Sequence, residues 1–97
     1  MTGSKNFKRI SDMEKLYDDV LQAQDSLYKA IEYYKGLQPG VKKLERYYSG
    51  RQWKDDFAAD EIGEIPADIK RGVLSEDGLY DLLENDREIM NMLGRGL

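Results

Sequence analysis

The stretch that decides the fold covers residues 7–37, FKRISDMEKLYDDVLQAQDSLYKAIEYYKGL. Apolar side chains return along it every three or four residues, which is the spacing of one face of an α-helix. They are Phe7, Ile10, Met13, Tyr17, Val20, Leu27, Ile31 and Tyr34, and Gln24 interrupts the series. Neither Gly nor Pro occurs between Ser4 and Lys35. The sequence therefore predicts an unbroken helix 1 over about residues 5–36, roughly 45 Å long.

A second series of apolar residues widens the same face. It comprises Leu16, Val20, Ala23, Leu27, Ala30, Tyr34 and Leu37. A face of this width suits a helix that touches two neighbours rather than one. Gln24 lies within it, where two interpretations are open: a polar residue that sets the register of a helix pair, or one at the uncovered edge of a three-helix core.

Two further helices follow from stop and start signals. Gly36 can adopt a left-handed cap and Pro39 suits a first helical turn, which predicts helix 2 at about residues 39–49, folded back antiparallel on helix 1 as a hairpin. Ser75 is a helix cap before helix 3 at about residues 76–93, with Leu74 placed to pack against Leu79. Gly78 stands where a capping box has Glu or Gln, so this cap is incomplete.

Residues 50–74 form an irregular acidic connection with a short helix near residues 52–59. We expect an ordered connection, because five apolar residues can anchor it: Trp53, Phe57, Ile62, Ile65 and Ile69.

The predicted fold is all-α, a single helical domain over residues 1–97. The hairpin and the docked helix 3 make it similar to a three-helix bundle. Its predicted core comprises Leu16, Val20, Leu27, Ile31, Leu44, Leu82, Leu83 and Ile89.

Composition excludes several classes of protein. The 97 residues include 15 basic and 19 acidic side chains, a net charge of −4, and neither Cys nor His. Without them the chain has no disulfide, thiolate nucleophile, imidazole base or usual zinc or haem ligand. No apolar run approaches the length of a membrane span and no signal-type core follows the N-terminus. We expect a soluble cytoplasmic protein that needs no cofactor and does not bind membranes.

The two parts of the sequence differ in charge. Residues 1–54 carry +4 and residues 55–97 carry −8. Helix 2 and its surroundings contain a basic cluster with interleaved aromatic residues, the composition of a nucleic-acid surface; the basic residues are Lys42, Lys43, Arg46, Arg51 and Lys54. A solvated helix face, neutralised by nearby acids, accounts for the same residues. We expect no strong nucleic-acid binding, and an acidic mimic of nucleic acid stays an alternative.

The acidic residues also suggest a metal-dependent alternative. Glu61 with Glu64, and Asp81 with Glu84, have the three-residue spacing that can present two carboxylates to Mg²⁺. An enzyme acting on a phosphate compound could use such pairs. Gly63 and Pro66 place the first pair in a loop, however, and a solvated role is simpler. The sequence assigns no catalytic, cofactor-binding or metal-binding residue.

The function that the sequence favours is a non-enzymatic protein–protein interaction module that associates with itself, or with another protein, through helix 1. The wide helix 1 face and the lack of a catalytic constellation support it. The candidate interaction surface combines exposed aromatic and polar residues: Tyr17, Gln24, Tyr28, Tyr33, Tyr47, Trp53, Asp56, Asp60 and Glu61.

One region of the chain resembles a known family. It carries Trp53-x-x-Asp56, then residues 59–66 (ADEIGEIP), residues 70–77 (KRGVLSED) and residues 80–83 (YDLL). The chain resembles a small bacterial domain of unknown function, numbered 4298, over nearly its whole length. The resemblance implies an all-helical fold and no assigned activity or catalytic residue. Gly78 departs from the helix-favouring residue expected there.

Overall fold

A computed structural model describes residues 7–94, and all of its regular elements are helical. The all-α prediction is confirmed. The elements are α1 (Lys8–Gly36), α2 (Gln38–Ser49), α3 (Arg51–Glu61), a 3₁₀ turn (Gly72–Leu74) and α4 (Gly78–Gly94). The chain divides after Leu37 into two units, α1 and the segment that begins at Gln38. The hairpin, the bundle and the single domain remain predictions.

The first unit is the long helix α1, with 29 residues. It matches predicted helix 1, although residues 5 and 6 lie outside the described residues. Two ion pairs on its polar face join residues one turn apart. Lys8 lies 3.0 Å from Asp12, and Lys29 lies 2.9 Å from Asp25. Such exposed pairs contribute about 0.3–0.5 kcal/mol each. The helix ends without a left-handed residue, contrary to the prediction for Gly36. Its C-cap, Leu37, has right-handed backbone angles, and among residues 7–94 only Gly63 has a positive φ.

The predicted core is wrong for most of its α1 members. Leu16, Val20 and Leu27 are 56, 53 and 57 % exposed, and Ile31 is half-buried. Periodicity identifies a face that can be buried, but it carries no information on what buries it. A single helix has no second layer of side chains, so the face stays open within this unit.

The second unit begins with α2 and α3, which pack against each other. Pro39 lies in the first turn of α2, as predicted. α3 extends to Glu61, past the predicted end near residue 59, and closes with a left-handed glycine. Gly63 donates its backbone N–H to Asp60 at 3.1 Å and Glu64 donates to Ala59 at 3.0 Å, the paired bonds of a Schellman motif.

The start of α4 depends on Ser75. Its hydroxyl oxygen accepts the Gly78 N–H at 3.1 Å and donates to the Gly72 carbonyl at 2.8 Å, which confirms the predicted cap. A Cβ at position 78 would lie 2.3 Å from Ser75 Oγ and 2.7 Å from the Gly72 oxygen. Glycine therefore replaces the expected capping-box residue because this tight turn leaves no room for a side chain.

The core of the second unit is small. Leu74, Leu79 and Leu83 are buried, and the first two lie on either side of the α4 start. Further apolar residues of this unit are half-buried, namely Val41, Leu44, Tyr48, Trp53, Phe57, Ile65, Met90 and Leu93. α4 packs on both α2 and the 3₁₀ turn, and Gln38 donates from Nε2 to Asp86 Oδ1 at 2.9 Å.

Four further predictions about buried residues are wrong. Leu82 and Ile89 are 41 and 37 % exposed, because they lie on the flank of α4 rather than on its central stripe. Ile62 and Ile69 are 70 and 51 % exposed, so Trp53, Phe57 and Ile65 remain as the anchors of the connection. Among the described helices, none combines the length and apolarity that crossing a bilayer requires.

We expect Leu79→Ala to lower the free energy of unfolding by about 2–4 kcal/mol, since Leu79 is 3 % exposed and its removal leaves a cavity. Leu82→Ala, on the same helix, is the matched control and should cost less than about 1 kcal/mol. Urea denaturation followed by Trp53 fluorescence measures both. Equal costs for the two substitutions would contradict this account of the core.

We expect Gly78→Ala to destabilise the protein by about 1–3 kcal/mol, although alanine is the better helix former, because the new Cβ meets the Gly72 carbonyl. The control is Gly40→Ala in α2, where a Cβ meets nothing within 4 Å. That variant should be unchanged or more stable by up to about 1 kcal/mol. Thermal melts of both variants test the pair, and a stabilised Gly78→Ala protein would disprove the steric argument.

Candidate interaction surface

Four of the nine candidate residues lie on α1. Tyr17, Gln24 and Tyr28 share one face, because spacings of seven and four residues return to nearly the same angle of the helix. Tyr33 follows Tyr28 by five residues, which turns it about 140° away. All four side chains are exposed. The structure therefore groups three of these residues and separates the fourth.

The shared face of α1 is apolar along its length. Seven large apolar side chains on it are each about half exposed: Ile10, Met13, Leu16, Tyr17, Val20, Leu21 and Leu27. Isolated exposed apolar residues are ordinary on a protein surface, but a contiguous set on one helix face is typical of an interface. Gln24 lies among them and is exposed.

In the second unit, Trp53 has a structural role. Its indole nitrogen donates to the Val73 carbonyl at 2.8 Å. Its ring stacks on Phe57, with centroids 5.0 Å apart, and meets the edge of Tyr48 at 5.1 Å. Trp53 therefore joins α3 to the 3₁₀ turn, and its half-buried ring offers less surface to a partner than the prediction assumed.

Tyr47 and Asp56 form a pair. The phenol of Tyr47 donates to Asp56 Oδ2 at 2.6 Å, which links α2 with α3. Partial burial, the hydrogen bond and the negative charge of Asp56 all disfavour the phenolate, and together they raise the pKa of Tyr47 to about 12. The structure therefore brings these two candidate residues together, in a contact that holds α2 to α3.

Asp60 is also engaged within the second unit. Its Oδ1 accepts from Arg71 Nη1 at 3.2 Å, which ties the end of α3 to the segment before the 3₁₀ turn. Glu61, the last residue of α3, is exposed.

Across residues 7–94, no three carboxylates come close enough to hold a metal ion. Glu84, one of the acids in the metal-dependent alternative, pairs with Arg87.

The basic cluster around α2 and α3 is a solvent-facing set. Its five residues, Lys42, Lys43, Arg46, Arg51 and Lys54, are all exposed. Arg51 lies 4.0 Å from Asp55, one turn away. The aromatic residues Tyr47, Tyr48 and Trp53, which could have stacked on bases, are half-buried and in contact with other side chains.

One feature was not anticipated. An apolar depression of about 340 Å³ lies beside the 3₁₀ turn, lined by Lys70, Gly72, Val73, Gly78, Leu79 and Leu82. Gly72 and Gly78 bring no side chains to its lining, and Val73 and Leu82 are partly exposed beside it. The two glycines six residues apart were the only signal for it in the sequence.

We expect a tyrosine of unusually high pKa among the seven in the chain. Phenolate absorbance should show a step near pH 12 that disappears in Tyr47→Phe and moves to lower pH in Asp56→Asn. Tyr28→Phe is the control, and it should leave that step in place.

This pKa shift also determines a pH dependence of stability. The folded protein holds the Tyr47 proton more tightly than the unfolded chain does. The stabilisation is therefore complete below pH 10.0 and is lost as the pH rises through about 12. Denaturation midpoints that fall equally in the wild type and in Tyr47→Phe over this range would contradict the assignment.

Comparison with protein families agrees with the resemblance noted in the sequence, whereas comparison with curated proteins and with solved structures finds no match. The matching family profile extends over residues 10–95 and so includes α1 as well as the second unit. The chain therefore belongs to the family described as Domain of unknown function (DUF4298).

Proposed function

We propose that this protein is a non-enzymatic protein–protein interaction module that binds through the apolar face of α1. The observation that carries the proposal is the set of half-exposed apolar side chains from Ile10 to Leu27 on one face of a 29-residue helix. Burial of each such side chain is worth about 1.5–3 kcal/mol relative to full exposure, so a partner that covers the face gains substantially.

The length of α1 adds support. A helix of 29 residues is about 43 Å long, whereas the 12 residues of α2 extend over about 18 Å. In the predicted hairpin, α2 would cover only the last turns of α1, near Ile31 and Tyr34. Ile10, Met13 and Leu16 would remain open in that arrangement as well. These three side chains are 57, 54 and 56 % exposed, which leaves this part of the face available to a partner.

The alternatives have less support. A Mg²⁺-dependent reaction needs converging carboxylates, and residues 7–94 contain no such group. An acidic mimic of nucleic acid needs free carboxylates along an extended face, but Asp56 and Asp60 are engaged by Tyr47 and Arg71. We retain the α1 interface as the proposed function.

We expect the purified protein to associate at micromolar concentration, with Val20→Glu shifting it to monomer, because a charge in the middle of the face opposes burial. Gln22→Glu, on the opposite face of α1, is the matched control and should leave the association unchanged. Light scattering coupled to size exclusion gives the masses, and far-ultraviolet circular dichroism checks that both variants stay helical.

Two results would count against this proposal in different ways. A wild-type protein that is strictly monomeric would exclude self-association and leave another protein as the partner. An associating protein whose mass is insensitive to Val20→Glu would place the interface elsewhere.

A further inference from the structure

The apolar face of α1 has the positions of a heptad repeat. Ile10, Tyr17, Gln24 and Ile31 follow one another at intervals of seven, and a second series lies three residues after the first: Met13, Val20, Leu27 and Tyr34. These are the two core positions of a helix pair. The four repeats occupy α1 from its first turn to its last.

From this pattern we propose that α1 pairs with α1 of a second copy, antiparallel and over its full length; the inference rests on the proposed function and specifies its partner. Full overlap places Lys8 opposite Gly36 of the second copy. The first core series of one copy then lies level with the second core series of the other copy. Each core side chain therefore meets one core side chain of the other copy in the same layer. This pairing takes the place of the predicted hairpin.

The antiparallel layers match in size. Tyr17 lies opposite Leu27 of the second copy, and Tyr34 lies opposite Ile10. A parallel pair would instead place Tyr17 against Tyr17 and Tyr34 against Tyr34, crowding large rings at the same height. Packed cores favour large residues against smaller ones. Antiparallel helices also oppose their dipoles, which favours their association.

Charge complementarity is compatible with the same arrangement. Glu14 and Lys35 both flank the core on the same side of α1, at opposite ends of the helix. In the antiparallel register, Glu14 is the charged flanking residue nearest to Lys35 of the second copy, and symmetry creates the pair twice. In a parallel pair, Lys35 would instead flank Ala30 and gain no partner, while Glu14 would flank Arg9 of the second copy. Charge is thus met in either orientation, and the match of side-chain sizes in the core layers carries the choice of the antiparallel one. Neither Glu14 nor Lys35 makes an ion pair within residues 7–94.

The area is sufficient for a stable dimer. Half of the circumference of a helix about 10 Å wide, along the length of α1, gives roughly 700 Å² per copy and about 1,400 Å² in total. Specific interfaces bury about 1,200–2,000 Å². The face of α1 alone reaches this range.

Orientation can be tested with cysteines, because the chain has none of its own. In the proposed register Met13 lies in the same layer as Ile31 of the second copy, while two copies of Met13 are about 27 Å apart. A mixture of Met13→Cys and Ile31→Cys proteins should form the mixed disulfide under mild oxidation. Each variant alone should stay uncrosslinked, and mass spectrometry identifies the products.

A charge reversal provides the second arm of the test. Lys35→Glu should weaken the dimer roughly tenfold, because it turns two attractive pairs into repulsive ones, and Glu14→Lys should do the same. The double variant Glu14→Lys with Lys35→Glu should restore the affinity of the wild type. Sedimentation equilibrium gives the dissociation constants.

The outcomes separate the orientation from the proposed function. Disulfide-linked homodimers of each single variant, without the mixed product, would establish a parallel pair and overturn the inference while leaving the α1 interface intact. A dimer that Val20→Glu disrupts but that forms neither product would likewise overturn the register. A strictly monomeric wild-type protein would refute both this inference and self-association.

Discussion

The hydrogen bond from the Trp53 indole to the Val73 carbonyl is the contact on which the second unit depends. It joins α3 to the 3₁₀ turn, and the Ser75 hydroxyl then joins that turn to the start of α4. Between them lies Leu74, one of the three residues that are buried in the range 38–94. The segment from Ile62 to Arg71 has little regular structure of its own, so these bonds and the Arg71–Asp60 pair fix where α4 begins.

α1 is subject to a different constraint. Helices in proteins take most of their stability from packing of an amphipathic face rather than from intrinsic propensity. α1 has two ion pairs on its polar side, worth little in energy, and its apolar side is exposed from Ile10 to Leu27. A partner helix would provide the packing that this unit lacks. The free energy of binding the partner would then add to the stability of folded α1.

Helix positions could be predicted from the sequence where periodicity and end signals coincide, as in α1, in α2 with Pro39 and in α4 with Ser75. Contacts between residues far apart in the chain could not. Trp53 meets a carbonyl 20 residues away and Asp60 meets Arg71 11 residues away. The sequence marks Trp53 as an anchor without naming its partner, and it places both residues on the candidate surface. Gly78 looked like a weakness of the cap, and the reason for it is a backbone oxygen that no local pattern reveals.

The position of Trp53 determines which part of the protein its fluorescence follows. It is the only tryptophan, and its ring lies among Tyr48, Phe57 and Val73, all within the second unit. α1, by contrast, contributes 29 helical residues, against 12, 11 and 17 in the other helices. Indole emission therefore follows one unit alone, whereas helical ellipticity is weighted toward the other. Agreement between the two signals during unfolding would mean that the units melt cooperatively, and divergence would mean that each has a stability of its own.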